Sequence, residues 1–429
     1  MTRVKSQVPL ARIVRPRLSR TSLMGQGMQG TGTASRAADT HATLARVLTF
    51  WPLVFYGLGV IVGAGIYVAL GSVIARAGAF APLSFLLAGL CAGLTGLCYA
   101  ELAGRLPKAS GAVAYVSAGF RSRSFGLVIG LATILAISVA SAAIAHGAAK
   151  FLSHLVELPQ TLAAAALVVV FTFLAMTGAR TSVGFAALVG VLEVGGLVVA
   201  AVTGLMSPEA LRAPDLIPAT YAAWQGLLSG AFIAFFAFIG FETLANMAED
   251  TKDAGRTVPL AILAAVAVSL LLYGGVSWAA VLAGRSADNP LVSIFSGAGA
   301  RIFAALGFLS VANGVLVETL MLSRLLYGMA DNGQLPSALA RVDPRRRTPV
   351  LATFAAGLII LLATIALPFE RLLTLANAIT LGIFLSVDLA LLLIKAREAA
   401  PAGLFVAPAW APAAAAILSA ALLAAELFL

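Results

Sequence analysis

The chain has 429 residues, 61% of them hydrophobic and only 11% charged, and its mean hydropathy is +1.00. That composition excludes an ordinary soluble domain and describes a polytopic membrane protein whose apolar helices meet lipid. The formal charge of +10 is then a matter of topology before it is a sign of any nucleic-acid partner.

Residues 1–48 are a different material, rich in Arg, Ser, Thr and Gly and without an acidic residue before Asp39. They read as a basic, disordered cytoplasmic tail. Their composition also resembles an organellar transit sequence, and Met24 or Met28 are alternative starts. Beyond the tail, hydropathy predicts about eleven spans, near 51–76, 81–103, 125–150, 160–178, 183–206, 225–248, 257–283, 298–326, 349–368, 372–394 and 404–429. The first ten make a core over 49–403, and 404–429 is an additional C-terminal helix. Cys91 and Cys98 share the second span; seven helical residues separate them by about 10 Å, too far for a disulfide.

Placing the N-terminus in the cytoplasm puts 22 of the 28 Lys and Arg residues on the cytoplasmic side and 6 opposite. Without the tail the bias is still 14 to 6. The expected setting is the cell (inner) membrane, with the N-terminus inside and, for an odd span count, the C-terminus outside.

Two spans carry interruptions. The first reads Leu58-Gly59-Val60-Ile61-Val62-Gly63-Ala64-Gly65-Ile66-Tyr67, the second Phe235-Phe236-Ala237-Phe238-Ile239-Gly240-Phe241-Glu242. They open two matching halves, at about 50–207 and about 225–395. Five spans per half is an odd number, so the second half enters the membrane from the opposite side and the pair is an inverted repeat. A helix broken in lipid persists only where it lines a cavity, because its freed backbone groups need partners.

At the first break, free N–H groups at the start of a half-helix favour an anion, so Gly63, Ala64, Gly65 and Ile66 can bind a carboxylate through backbone alone. The competing reading is close helix packing through Gly59 and Gly63. At the second break, unpaired carbonyls around Phe236, Ala237 and Ile239 suit an ammonium group, and Phe241 adds a bulky face. Facing each other, the two ends describe a zwitterionic α-amino acid. Ionisable residues within spans default to function. Glu193 and Glu242 are the proton-coupling candidates, with a fixed hydrogen bond and a helix cap as their respective structural alternatives. Glu318 and Asp388 are further candidates, and His146 reads as a satisfied interfacial histidine. There is no P-loop, no His-Glu-x-x-His and no Gly-x-Ser-Gly, and the Gly-x-Gly lacks a surrounding βαβ unit, so neither enzyme, metal, cofactor nor ATP-driven pump is indicated.

Several motifs together resemble the amino acid–polyamine–organocation superfamily of amino acid permeases. Gly63 to Tyr67 is similar to its first-helix signature, and Tyr99-Ala100-Glu101-Leu102 with Arg105-Leu106-Pro107 to the end of its second helix. Phe235 to Glu242, Glu249-Asp250 and Arg256-Thr257-Val258-Pro259 resemble the sixth helix and its following loop. Ser323 to Gly333 and Thr348-Pro349 resemble the eighth-helix exit. The resemblance implies a LeuT-like fold, all-α, with discontinuous helices 1 and 6 in a five-plus-five inverted repeat. It also implies alternating-access transport of an amino acid, with a proton or counter-substrate as the coupled species. Carboxylate binding carries over to Gly63, Ala64, Gly65 and Ile66, and amine binding or gating to Phe236, Ala237, Ile239 and Phe241. Polyamine or cationic amino acid transport is the alternative of the same fold. Glu193 stands where many relatives have a lysine, and relatives commonly have a twelfth span.

Overall fold

The computed structural model describes residues 48–106, 111–177, 182–206, 217–283, 289–344, 346 and 348–428; the basic tail, apart from Leu48, lies outside them. In chain order the helices are α1 (Phe50–Ala77), α2 (Ala81–Arg105), α3 (Gly111–Phe120), α4 (Arg123–Leu152), α5 (Gln160–Thr177), α6 (Ser182–Leu205) and α7 (Tyr221–Ala234). They continue with α8 (Glu242–Asn246), α9 (Ala254–Leu282), α10 (Pro290–Ser293), α11 (Gly297–Asp331), α12 (Val350–Ala366), α13 (Phe369–Lys395) and α14 (Ala411–Phe428). Among the described residues, eight helical stretches are long and apolar enough to cross a membrane, and Val350–Ala366 is a shorter apolar helix. The short helices α3 and α10 fall in segments to which hydropathy assigned no element.

These helices are apolar around most of their circumference, so polar partners, caps and small residues decide how they meet. Leu271, Phe173, Ile365 and Ile417 remain exposed on the outer faces, as expected of side chains that meet lipid. Inside, Gly119 and Gly204 let their helices approach Ala390 and Ala279 closely.

The sixth span is interrupted, as its sequence predicts. Helix α7 tightens into a 3₁₀ turn over Phe235–Phe238, Ile239 is extended, and Gly240 has φ +122 before α8 begins. Only glycine adopts that backbone without strain. The first span corrects the expectation: α1 runs without interruption through Gly63, Ala64 and Gly65. Glycine permits a helix break without compelling one, and here those residues serve close packing instead.

A polar seam joins α2 to α13. The Glu101 carboxylate is 0% exposed and accepts from Arg105 at 2.7 Å, from Lys395 at 2.7 Å and from the Ala407 backbone N–H at 2.9 Å. Arg105 also donates to the Glu398 and Ala399 carbonyls. Arg397 donates to Gly119 O, tying α3 to the end of α13. At the opposite end of α2, Arg76 and Glu426 pair at 2.5 Å, joining α1 to α14.

Two stability predictions follow from these contacts. Glu101→Ala leaves Arg105 and the half-buried Lys395 without their shared carboxylate, and a loss of up to about 3–5 kcal/mol is expected, read as lowered thermal stability of the purified protein. Gly240→Ala forces a side chain into a left-handed backbone and against Val60 Cγ1, at 2.8 Å. It should cost about 1–3 kcal/mol by the same measurement.

Candidate functional site

The site forms where α1 meets the break in the sixth span. A Cβ on Gly65 would stand 2.6 Å from both Cα and O of Ala237. The two backbones are therefore in direct apposition, an approach that only a hydrogen at this position allows. The Tyr273 hydroxyl, from α9, lies 2.8 Å from Ile61 O and 2.9 Å from Ala237 O. One hydroxyl proton serves two carbonyls, one on each side of the contact. Ile61 O is also the helical acceptor for the Gly65 N–H, by the i to i+4 pattern of an α-helix.

Two residues further back, Gly63 faces α6. A Cβ there would lie 3.2 Å from Glu193 Oε2. Glu193 is 2% exposed, and its Oε1 has no hydrogen-bond partner among the described residues. Its backbone carbonyl accepts from the Tyr67 hydroxyl at 2.8 Å, which fixes α6 against α1. The Tyr67 ring stacks on Phe303 and meets Phe151 edge-on. An ionised carboxylate in such a place requires a cation or a proton, since desolvating it uncompensated is strongly unfavourable.

The break itself is held by its own residues. Glu242 Oε2 accepts from the Gly240 N–H at 2.8 Å, and the Thr243 hydroxyl donates to Gly240 O at 2.6 Å. Glu242 thus caps backbone freed by the interruption, the structural alternative its sequence position allowed. Below the break, Leu48 and Thr251 form an isolated bridge, with Lys252 N donating to Leu48 O at 2.9 Å. The start of α1 and the segment after α8 are held together there.

The residues singled out from sequence distribute as follows. Gly63, Gly65 and Ile66 are buried, and the amides of Gly63, Ala64, Gly65 and Ile66 lie inside a continuous helix, so the anion site expected from a broken α1 is not preformed. Of the carbonyls expected to be free, Phe236 O accepts from Ile239 N at 3.3 Å and Ala237 O faces Tyr273. Phe241 packs between Tyr99 and Phe384, and Phe235 also meets Phe384, so both belong to an aromatic cluster between α2 and α13. Phe236 is buried, and Ile239 is half-buried. His146 Nε2 is 3.0 Å from Thr364 O, the satisfied arrangement expected of it. Sequence reading passed over Tyr273. Its signal was a tyrosine hydroxyl, flanked one turn away by Ser269 and Ser277, in the middle of an otherwise apolar span.

Long apolar helices that meet backbone to backbone at a buried break, beside an unpaired carboxylate, define a multi-pass membrane permease. Residues 48–429 match the family described as amino acid permease, and the chain belongs to that family. Among similar proteins is "Cationic amino acid transporter 3, mitochondrial" of Arabidopsis thaliana, 30% identical over 390 residues, covering 83% of this chain and 63% of the relative. The chain therefore spans somewhat under two thirds of that relative's length. "Branched-chain amino acid permease BcaP" of Bacillus subtilis (strain 168) is 27% identical and aligns over 84% of this chain and 83% of its own length. The "Methylthioribose transporter" of the same organism is 27% identical, with 84% of each covered.

The glycines of α1 provide an internal comparison. Gly65→Ala collides with the Ala237 backbone and is expected to abolish transport and lower thermal stability. Gly59→Ala, whose Cβ would meet nothing within 4 Å, should be neutral or stabilising by about 0.5–1 kcal/mol. Paired melting and uptake assays on the two variants check this.

Proposed function

We propose that this chain is a secondary transporter that moves amino acids across the cell membrane by alternating access, with a proton bound at Glu193 as the coupled species. The observation that carries the reading is the Glu193 carboxyl group, buried, unpaired at Oε1 and pressed against Gly63, two residues from the Gly65–Ala237 contact. A group so placed changes its surroundings whenever α1 separates from the break, which is what coupling demands. Glu242 is the lesser candidate, because its carboxylate is engaged by the Gly240 amide.

In this reading the substrate occupies the place where Gly65 and Ala237 now touch. Its carboxylate is received by amides of Gly63, Ala64, Gly65 and Ile66 once α1 opens, and its ammonium by the carbonyls of Ala237 and Ile239. Phe236 borders the ammonium side of that space, and Phe241 supports the break from behind. Eleven spans, with ten in a five-plus-five inverted repeat and the N-terminus in the cytoplasm, complete the proposal. Supporting the repeat, α2 packs along α9, α4 along α11, α5 along α12 and α1 along α7. These four pairs join members that the inverted repeat makes equivalent, an arrangement that a pseudo-two-fold axis passing between them would produce.

A second reading, transport of cationic amino acids or polyamines, is favoured by the relatives whose names state cationic amino acid transport. Counterflow in proteoliposomes loaded with leucine, lysine, arginine, putrescine or methylthioribose decides the cargo. Saturable exchange of an amino acid supports the proposal, and exchange of methylthioribose alone overturns it. For coupling, Glu193→Gln should retain exchange and lose uptake driven by a pH gradient, whereas Glu242→Gln should retain gradient-driven uptake with reduced stability. Undiminished gradient-driven uptake in Glu193→Gln removes Glu193 from the mechanism.

A further inference from the structure

A second buried carboxyl group lies far along the chain from the candidate site. Asp388, on α13, is 0% exposed, and its Oδ1 has no hydrogen-bond partner among the described residues. Oδ2 accepts from the Thr95 hydroxyl of α2 at 3.1 Å. Cys98 of α2 and Ser419 of α14 are its further polar neighbours, and Ser419 in turn reaches Cys91 Sγ at 3.5 Å. Three helices thus converge on one carboxyl group, with α14 contributing a hydroxyl and α2 a face made of Cys91, Thr95 and Cys98.

The contrast with Glu101 is informative. Glu101 and Asp388 belong to the same α2–α13 seam, and Glu101 is matched by Arg105, Lys395 and the Ala407 amide. No ion pair among the described residues reaches Asp388. The seam's two cations are both committed to Glu101, so an ionised Asp388 would be an uncompensated charge in an apolar junction.

We propose that Asp388 is a proton-binding site distinct from the substrate site, and that its bound proton keeps α13 and α14 docked on α2. The neutral acid needs no counter-ion, and it retains the Thr95 contact. Loss of the proton places an uncompensated charge between α2, α13 and α14 and loosens their junction.

The surroundings offer few other titrating groups. From α2 the group interacts with Cys91, Cys98 and Tyr99, while Glu101 of α2 and Lys395 of its own helix are bound to each other. Helix α3 presents Tyr115, whose ring meets Tyr99. On α14 the one carboxylate, Glu426, is held by Arg76. On α4 only Arg123, His146 and Lys150 titrate; His146 and Lys150 lie at the Phe369 end of α13, and Arg123 is the first residue of its helix. On α7 only Tyr221 titrates, at its first residue.

The test is thermal unfolding of the purified full chain between about pH 5 and about pH 9, in sodium chloride and in choline chloride, for wild type and Asp388→Asn. The folded protein holds a proton that the unfolded chain releases at neutral pH. Wild-type stability should therefore fall relative to Asp388→Asn as pH rises across this range. An infrared carbonyl band of a protonated carboxylic acid, present in wild type at neutral pH and missing from Asp388→Asn, is the second expected result. If Asp388→Asn fails to fold, the band is followed in Glu193→Gln, which removes the substrate-site carboxyl group; its loss on raising the pH carries the test, and a band that is missing or does not titrate overturns the proposal. Parallel pH profiles for the two proteins also overturn it. A stabilisation by sodium over choline that vanishes in Asp388→Asn would replace the proton with a metal cation and overturn it too.

Discussion

The backbone contact between Gly65 and Ala237 is the constraint on which the rest of the arrangement depends. Two helices can approach this closely only where one of them has no side chain, and that approach brings the carbonyls of Ile61 and Ala237 within reach of a single tyrosine hydroxyl. It also decides what α1 presents to α6. With Gly65 turned toward the break, Gly63 faces Glu193, and the carboxyl group fills the space a side chain would have taken. Site, break and buried charge are consequences of one close approach.

The same contact accounts for the continuity of α1. Opening a helix in an apolar interior frees N–H and C=O groups that then require partners. While Ala237 lies against Gly65 there is no occupant to offer them, so α1 keeps its own hydrogen bonds. The sixth span has no such choice, because φ +122 at Gly240 cannot belong to a helix. Its freed groups are met locally by Glu242 and Thr243. One half of the site is thus permanently interrupted and the other is closed. In the proposed transport cycle this asymmetry would have cargo enter by separating two surfaces rather than by filling a preformed pocket.

Acidic side chains within the helices are managed in three ways. Glu101 is neutralised by two cations and accepts from an amide, Glu242 accepts from a backbone N–H, and among the described residues no ion pair reaches Glu193 or Asp388, the latter having only Thr95, Cys98 and Ser419 as polar neighbours. Full compensation marks a fixed joint, since removing any partner leaves a charge exposed to low dielectric. An uncompensated carboxyl group is instead free to exchange a proton. The division follows from which partners stand beside each group and not from the residue type.

Hydropathy and composition alone determined that the chain is all-helical and made to lie in a membrane. Long apolar runs cannot be soluble, and no other regular structure satisfies their backbone from within one segment. The interruption at Ile239–Gly240 was also legible, because a glycine closing a run of bulky residues is a local signal. Whether Gly63-Ala64-Gly65 breaks or packs was not legible. Glycine allows both, and the outcome rests on Ala237, more than 170 residues away. For the same reason the sequence could mark Glu193, Glu242 and Asp388 as buried acids but could not rank them. Their roles depend on which atoms stand within hydrogen-bonding distance, and only the tertiary structure sets those distances.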